Sequence, residues 1–225
     1  MDQTIIAGVV TVLVAFISLI FFIYTRKKLK DGVLLLGIND SGKTCIFYKL
    51  TNNADINSVS SINENVGSAK FSNKISKIID VPGHEKIRNS IISKYKDNTK
   101  ALVFVIDSQT ILANIRDISE YLYEILADEK FNKSKTPILI LCNKQDLELS
   151  KSAKVIQTRL ENEISIVKQT KAGALDSIDN KSRRTGMLGN KSESFLFDQL
   201  PNRVDFNECS VKSSISCIED WLKAL

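Results

Sequence analysis

The sequence predicts an α/β chain: a mainly parallel six-stranded sheet with helices on both faces, preceded by one transmembrane helix. Three observations carry that prediction. Short, continuous apolar runs alternate with amphipathic stretches of helical period from Val33 onwards, the pattern of strands covered on both faces. The stretch Gly37-Ile38-Asn39-Asp40-Ser41-Gly42-Lys43-Thr44 fits G-x-x-x-x-G-K-[ST] and stands between the first apolar run and a helix-like segment, Cys45 to Leu50. That is the context a phosphate-binding loop needs. Ahead of both, Ile5 to Tyr24 is a run of twenty residues without a charge.

At ~1.5 Å per residue, a helix over Ile5 to Tyr24 is about 30 Å long, the thickness of a bilayer hydrocarbon core. A cleaved signal peptide has a shorter apolar region with basic residues in front of it. Here Asp2 lies in front, and Arg26, Lys27, Lys28 and Lys30 lie behind. Basic flanks stay on the cytoplasmic side. Residues 1–4 therefore read as a short non-cytosolic N-terminus, 5–24 as the span, 25–32 as a basic juxtamembrane segment drawn to anionic head groups, and 33–225 as a cytosolic domain.

Within that domain, Val33 to Leu36, Lys74 to Val81, Ala101 to Ile106, Ile138 to Cys142 and Arg203 to Asn207 read as strands,. Helical spacing recurs between them. Ile87, Ile91 and Tyr95 mark a helix over His84 to Lys96; Ile111, Ile115, Ile118, Leu122, Ile125 and Leu126 form a core-facing stripe,. Lys151 to Ile166 continues the alternation, and Ile215, Ile218, Leu222 and Leu225 make a short closing helix. The stretch at about 168–194 breaks the rhythm with Gly173, Gly186, Gly189 and the run Lys181-Ser182-Arg183-Arg184, so a polar, mobile surface insertion is expected there,.

The chemistry sits at the carboxyl ends of these strands, where open parallel sheets bind ligands. Glycines at both ends of the Gly37–Thr44 loop let the backbone wrap a phosphate, whose charge faces successive N–H groups and the positive end of the next helix. Lys43 can reach the outer phosphates, and the Thr44 hydroxyl can hold Mg²⁺. Asp80-Val81-Pro82-Gly83-His84 places a carboxylate where it can hold Mg²⁺ through its water shell, and Gly83 leaves its backbone free to approach a terminal phosphate. Asn143-Lys144-Gln145-Asp146 puts a carboxylate edge-on to a base. Guanine offers it a ring N–H and an exocyclic amine, and adenine offers neither. Glu208-Cys209-Ser210-Val211-Lys212 can close over the other edge of the base.

Composition narrows the classes. A 43% hydrophobic content over 225 residues is enough for one sizeable core,. Four cysteines without a C-x-x-C pair and a single histidine exclude an ordinary zinc cluster and read as reduced thiols,. Part of the net charge of +5 is the basic cluster behind the span, and no basic patch with interleaved aromatics follows it. Direct nucleic-acid binding is not expected.

These four motifs in this order resemble the small GTPases of the Ras and Arf superfamily, from about Val33 to Leu225. The D-x-P-G-H form, the single anchor and the very short linker are most similar to the beta subunits of the signal recognition particle receptor. The resemblance implies the P-loop small-GTPase fold, GTP/GDP and Mg²⁺ as ligands, and an endoplasmic reticulum protein whose GTP form holds a receptor alpha subunit, and through it ribosome–nascent chain complexes. It places Asn39, Asp40, Ser41, Gly42, Lys43, Thr44, Cys45 and Gly83 around the phosphates, and Thr44 with Asp80 on Mg²⁺. Asn143, Lys144 and Asp146 fall on guanine, and Ser210, Val211 and Lys212 on the far side of the base. His84 falls where the family orients attacking water.

One departure stands out. The family supplies a second hydroxyl to Mg²⁺ from a threonine of the first switch loop, yet no threonine lies between Thr51 and Thr99. Ser58, Ser60 and Ser61 are the substitutes in reach, and Ser60 is selected. A slow, partner-accelerated GTPase is the expected activity, with loops Asn53 to Val66 and Gly83 to Lys96 ordered by GTP. The rivals are a docking module that holds GTP permanently, and an Arf-like trafficking GTPase, against which the apolar span counts.

Overall fold

The computed structural model describes residues 30–56, 61, 63–72, 74–176, 188 and 194–225, with Gly8, 12–18 and Ile20 ahead of them. The chain divides into two units, 1–30 and 31–225. In the first, residues 12–18 are helical, and Val12, Leu13, Val14, Phe16 and Ile17 are all exposed. Among the described residues no helix is long and apolar enough to cross a membrane. Most of the expected span, Ile5 to Tyr24, lies outside them.

The second unit runs β1 (Gly32–Leu36), α1 (Lys43–Asn52), β2 (Asn65–Phe71), β3 (Lys74–Asp80), α2 (Glu85–Tyr95), β4 (Thr99–Asp107), α3 (Ile115–Leu126), α4 (Glu129–Lys133), β5 (Ile138–Asn143), α5 (Ala153–Asp176), β6 (Val204–Glu208) and α6 (Ser216–Lys223). The six strands form one sheet in the order β2-β3-β1-β4-β5-β6. β2 is antiparallel to β3, and every other pair is parallel. Alternation along β1 divides the core: Leu34 and Leu36 pack with Phe104, Tyr121, Ile140 and Leu160 on one face, while Val33 and Leu35 pack with Ile46, Phe47, Ile218 and Trp221 on the other. Both faces are thus covered by helices, as the unbroken apolar runs require.

The expected α/β sheet with helices on both faces is present, with two differences. The first is β2, which no reading of apolar runs picks out: as an edge strand it buries only Ala69 and Phe71, and Gly67 interrupts its pattern. The second is at 168–194. Helix α5 does not stop near Ile166 but runs on to Asp176, with Lys168 buried, and Leu188 packs into the core at 5% exposure. The described part of that stretch therefore contributes a helix end and a core side chain. Polar composition hid this, because hydropathy counts Lys168 as a surface charge although it is buried at 2% exposure.

The sheet order places β1 between β3 and β4, so connections leave it towards both sides. A crevice opens at the carboxyl ends of such strands. The register sets Leu35 beside Asp80, and Asp107 beside Asn143, so the strand-end carboxylates and the amide line one rim.

Candidate nucleotide-binding site

Each sequence motif emerges on that rim. The phosphate loop leaves β1 at Gly37 and enters α1 through Gly42, whose φ of 95° lies in the left-handed region. A side chain at Gly42 is excluded twice over, since its Cβ would stand 2.3 Å from Asn143 Nδ2,. The loop is braced internally: Ser41 Oγ donates to Ile38 O at 3.0 Å, and Lys43 Nζ donates to Ile38 O at 2.7 Å. Lys43 is only 6% exposed. Burial pushes its ammonium down to about 8, against the opposing pull of Asp80 and Asp40. This is a cation held ready for an anion and short of one.

The D-x-P-G turn closes the cleft from the other side. Asn39, Asp40, Gly42, Lys43, Thr44, Ser61, Asp80, Val81, Pro82 and Gly83 line it. At Gly83 an added Cβ would lie 2.5 Å from the Asn39 amide nitrogen, so only glycine lets the turn come this close to the phosphate loop. Cys45, by contrast, turns away, donating its thiol to Ile56 O at 3.5 Å.

At the head of α1, Thr44 Oγ1 donates to Asp80 Oδ2 at 2.8 Å and lies 3.1 Å from Ser61 Oγ. Asn65 Nδ2 donates to both Asp80 Oδ2, at 3.0 Å, and Ser61 Oγ, at 3.2 Å. The other carboxylate oxygen, Asp80 Oδ1, is buried with no hydrogen-bond partner. A buried carboxylate is costly unless paired. An orphaned carboxylate oxygen beside two hydroxyls is a hard-oxygen set that fits Mg²⁺. Ser58 and Ser60 lie outside the described residues, while Ser61 is the serine found against Thr44.

At the base end, Asp146 accepts a hydrogen bond from Ser210 Oγ at 2.8 Å and lies 3.7 Å from Lys212 Nζ. The Ser210 bond, with help from Lys212, holds its carboxyl below the usual carboxylate range. Asp146 is thus ionised and aimed, as an acceptor of two hydrogen bonds must be. Ser210 and Lys212 stand on the carboxylate itself, where the sequence placed them on the far side of the base.

Asn143 is a brace between two loops. Its Nδ2 donates to Ser41 O at 2.9 Å, and its Oδ1 accepts from Val211 N at 3.3 Å. Lys144, in a left-handed backbone conformation, donates to Asp107 Oδ2 at 2.8 Å. Burial alone would raise the Asp107 carboxyl, but Lys144, the amide of Gln109 and the side chain of Thr110 outweigh it and hold it below the usual carboxylate range. His84 stands apart: it is exposed, and its Nδ1 accepts from Lys86 N at 3.4 Å as the cap of α2.

Two residues of this site were missed in the sequence. Asp107 carries the same signal as Asp80, an acid at the end of an apolar strand. Asn65 carries none, because it acts across a strand pair.

The family model described as "Signal recognition particle receptor beta subunit" matches residues 28–204. The chain belongs to that family. The receptor beta subunit of Rattus norvegicus is 36% identical over 240 residues, covering 98% of this chain and 87% of its own. "The Structure of the Mammalian SRP Receptor" superposes with a TM-score of 0.76 at 36% identity, covering 86% of this chain and 98% of the other. The "SRb-GTP/SRX complex" of Chaetomium thermophilum superposes with a TM-score of 0.66 at 20% identity, over 88% of this chain and 97% of that one, and shares the fold. This chain thus has the small-GTPase α/β fold, with its six-stranded, mostly parallel sheet.

Proposed function

We propose that this receptor beta subunit is a GTP-dependent switch that holds a receptor alpha subunit at the endoplasmic reticulum membrane. The observation that carries the reading is the pairing of an ionised, pre-oriented Asp146 with the orphaned Asp80 Oδ1, on one rim of one sheet. The first selects guanine. Adenine offers Asp146 neither donor and forfeits the two charge-assisted hydrogen bonds that guanine makes, about 1–3 kcal/mol or more. The second, with Thr44 and Ser61, would hold Mg²⁺, which when bound neutralises the charge of the outer phosphates. Lys43, Asn39 to Thr44 and Gly83 enclose those phosphates, and Lys144 stiffens the base end through Asp107.

Ser61 is the residue we assign to the second switch hydroxyl, in place of Ser60. In Ser61→Ala, GDP affinity stays near that of the parent, while GTP binding needs roughly tenfold more Mg²⁺; Ser61→Thr restores it. A Mg²⁺ titration of each variant reads this directly, and an unchanged requirement in Ser61→Ala removes the assignment.

Anchoring rests on Ile5 to Tyr24. Among its described residues, Val12, Leu13, Val14, Phe16, Ile17 and Ile20 are exposed together, an apolar surface that suits lipid better than water,. The basic residues Arg26, Lys27, Lys28 and Lys30 keep the following domain cytosolic.

A second reading is favoured by one observation. His84 is engaged in capping α2 rather than turned into the cleft, as in a docking module that holds GTP without turnover. Affinity capture from detergent-solubilised membranes separates the two. The switch is expected to recover the alpha subunit with GTP and not with GDP; equal recovery with both overturns the switch in favour of the module.

A further inference from the structure

Glu64 is not among the residues that line the cleft, yet it stands one residue ahead of β2 and is fastened to α2. The ladder between β2 and β3 starts at Asn65–Asp80, and ahead of it the chain is held by side-chain bonds. Glu64 Oε1 accepts from Tyr95 Oη at 2.9 Å and also from Lys94 Nζ, both in the last turn of α2. Lys94 is exposed, and a surface ion pair alone contributes little,. Tyr95 is the fixed partner. Its ring packs against the cluster that holds Ile91 and Ile92, Lys77 Nζ of β3 lies 5.2 Å from the ring centroid, and its carbonyl accepts from the buried Thr99 Oγ1 at 2.9 Å. The Lys94 bond, ahead of the other influences, holds the Glu64 carboxyl below the usual carboxylate range. It therefore meets the tyrosine as an anion, in a charge-assisted bond.

The next residue along the chain reaches the metal corner. Asn65 donates to Asp80 Oδ2 and to Ser61 Oγ, and Ser61 lies against Thr44. Glu64 and Asn65 are joined by one planar peptide unit, so a shift of the first moves the second. The contacts thus run without a gap from the last turn of α2 to the hydroxyl at the head of α1.

We propose that Glu64 is a positioning residue for the nucleotide site: latched to Tyr95 and Lys94, it sets the start of β2 so that Asn65 and Ser61 meet Asp80 and Thr44, and it couples the seating of α2 to the metal corner. The coupling is reciprocal, since whatever seats α2 favours the metal and the metal favours a seated α2. It acts on the GTP state in particular. Ser61 is the hydroxyl assigned to that state, whereas the phosphate loop, which Glu64 does not touch, holds either nucleotide. A merely structural clamp would weaken GTP and GDP alike.

The effect on GTP rests on the reading above, and the test keeps the two apart. In the full chain in detergent, the Mg²⁺ concentration for half-maximal binding of a fluorescent, non-hydrolysable GTP analogue is expected to rise roughly tenfold in Glu64→Ala, with GDP affinity unchanged. Tyr95→Phe is expected to raise it less, and the double variant no further than Glu64→Ala, because both changes remove one contact. Glu64→Gln keeps an oxygen for Tyr95 Oη and is expected to stay within about threefold of the parent. Hydrogen exchange in the nucleotide-free chain is a second readout: the amides of β2 are expected to exchange about threefold faster or more in Glu64→Ala and Tyr95→Phe. An unchanged Mg²⁺ requirement, or equal losses of GTP and GDP, overturns the positioning role. Additive effects in the double variant overturn the contact with Tyr95. A parent that binds no guanine nucleotide refutes the nucleotide reading, and the exchange rates then decide alone: faster exchange upholds the latch on β2, and unchanged exchange removes it.

Discussion

In Asp146→Asn, affinity for GTP falls by at least about 100-fold while the chain folds as before. In the proposed site the parent carboxylate would accept from the ring N–H and the exocyclic amine of guanine, and hydrogen bonds to a charged group contribute about 1.5–3 kcal/mol each. An asparagine presents one acceptor and one donor, so its amide meets the guanine amine donor to donor. Losing the charge on one contact and setting donor against donor at the other amounts to about 3–6 kcal/mol, roughly 10² to 10⁴ in affinity. Folding is spared because Ser210 Oγ, which donates to Asp146 at 2.8 Å, can donate equally to an amide oxygen. Calorimetry with GTP, GDP and ATP on parent and variant, alongside a thermal melt, measures both halves. A variant that keeps parental GTP affinity removes Asp146 from the base site, and a parent that binds ATP as tightly as GTP removes the guanine assignment altogether.

Lys43→Met is expected to move stability and binding in opposite directions. Lys43 is 6% exposed, and burial lowers its pKa from 10.5 to about 8. Below pH 8 it is charged in both the folded and unfolded chain, so the folded state bears the whole cost of the buried charge. A shift of this size corresponds to about 3 kcal/mol at 1.36 kcal/mol per unit. Methionine keeps most of the stem and removes the charge. The ligand-free variant should therefore melt higher at pH 7, by about 2–4 °C per kcal/mol recovered. As pH rises from about 8 towards 10.5, the folded parent loses its proton before the unfolded one does, its deficit disappears, and the two melting temperatures converge. GTP binding should meanwhile be lost, since no other cation is braced within the phosphate loop. A variant that melts lower at pH 7, or that retains GTP, contradicts the picture of a strained cation awaiting a phosphate.

Much of this protein was legible without coordinates because its decisive signals are short in sequence. Continuous apolar runs at Ala101–Ile106 and Ile138–Cys142 announce strands buried on both faces, and they lie within β4 and β5. The phosphate loop depends on spacing within eight residues, Asp80 ends β3, and Asp146 lies three residues past the end of β5. Reading failed where an element earns its place by pairing or by a mixed side chain. β2 exists because β3 offers it a ladder from Asn65–Asp80 to Phe71–Lys74. Helix α5 continues past Ile166 although Lys168 looks polar, because the helix buries it.

The sequence by itself determined the five strands with apolar runs, the phosphate loop, the acid of the Asn143–Asp146 motif and the charge-free N-terminal run, each fixed by local steric and hydropathic rules. Tertiary structure alone decided which serine faces Thr44, across 17 residues, and that Asn65 aligns Asp80 from the neighbouring strand. It also decided that Asn143 ties the phosphate loop, 102 residues away, to the guanine-side loop, 68 away. Those contacts follow from the tertiary arrangement of the strands, which brings distant residues within 3.3 Å of one another and leaves no trace in the spacing of either segment.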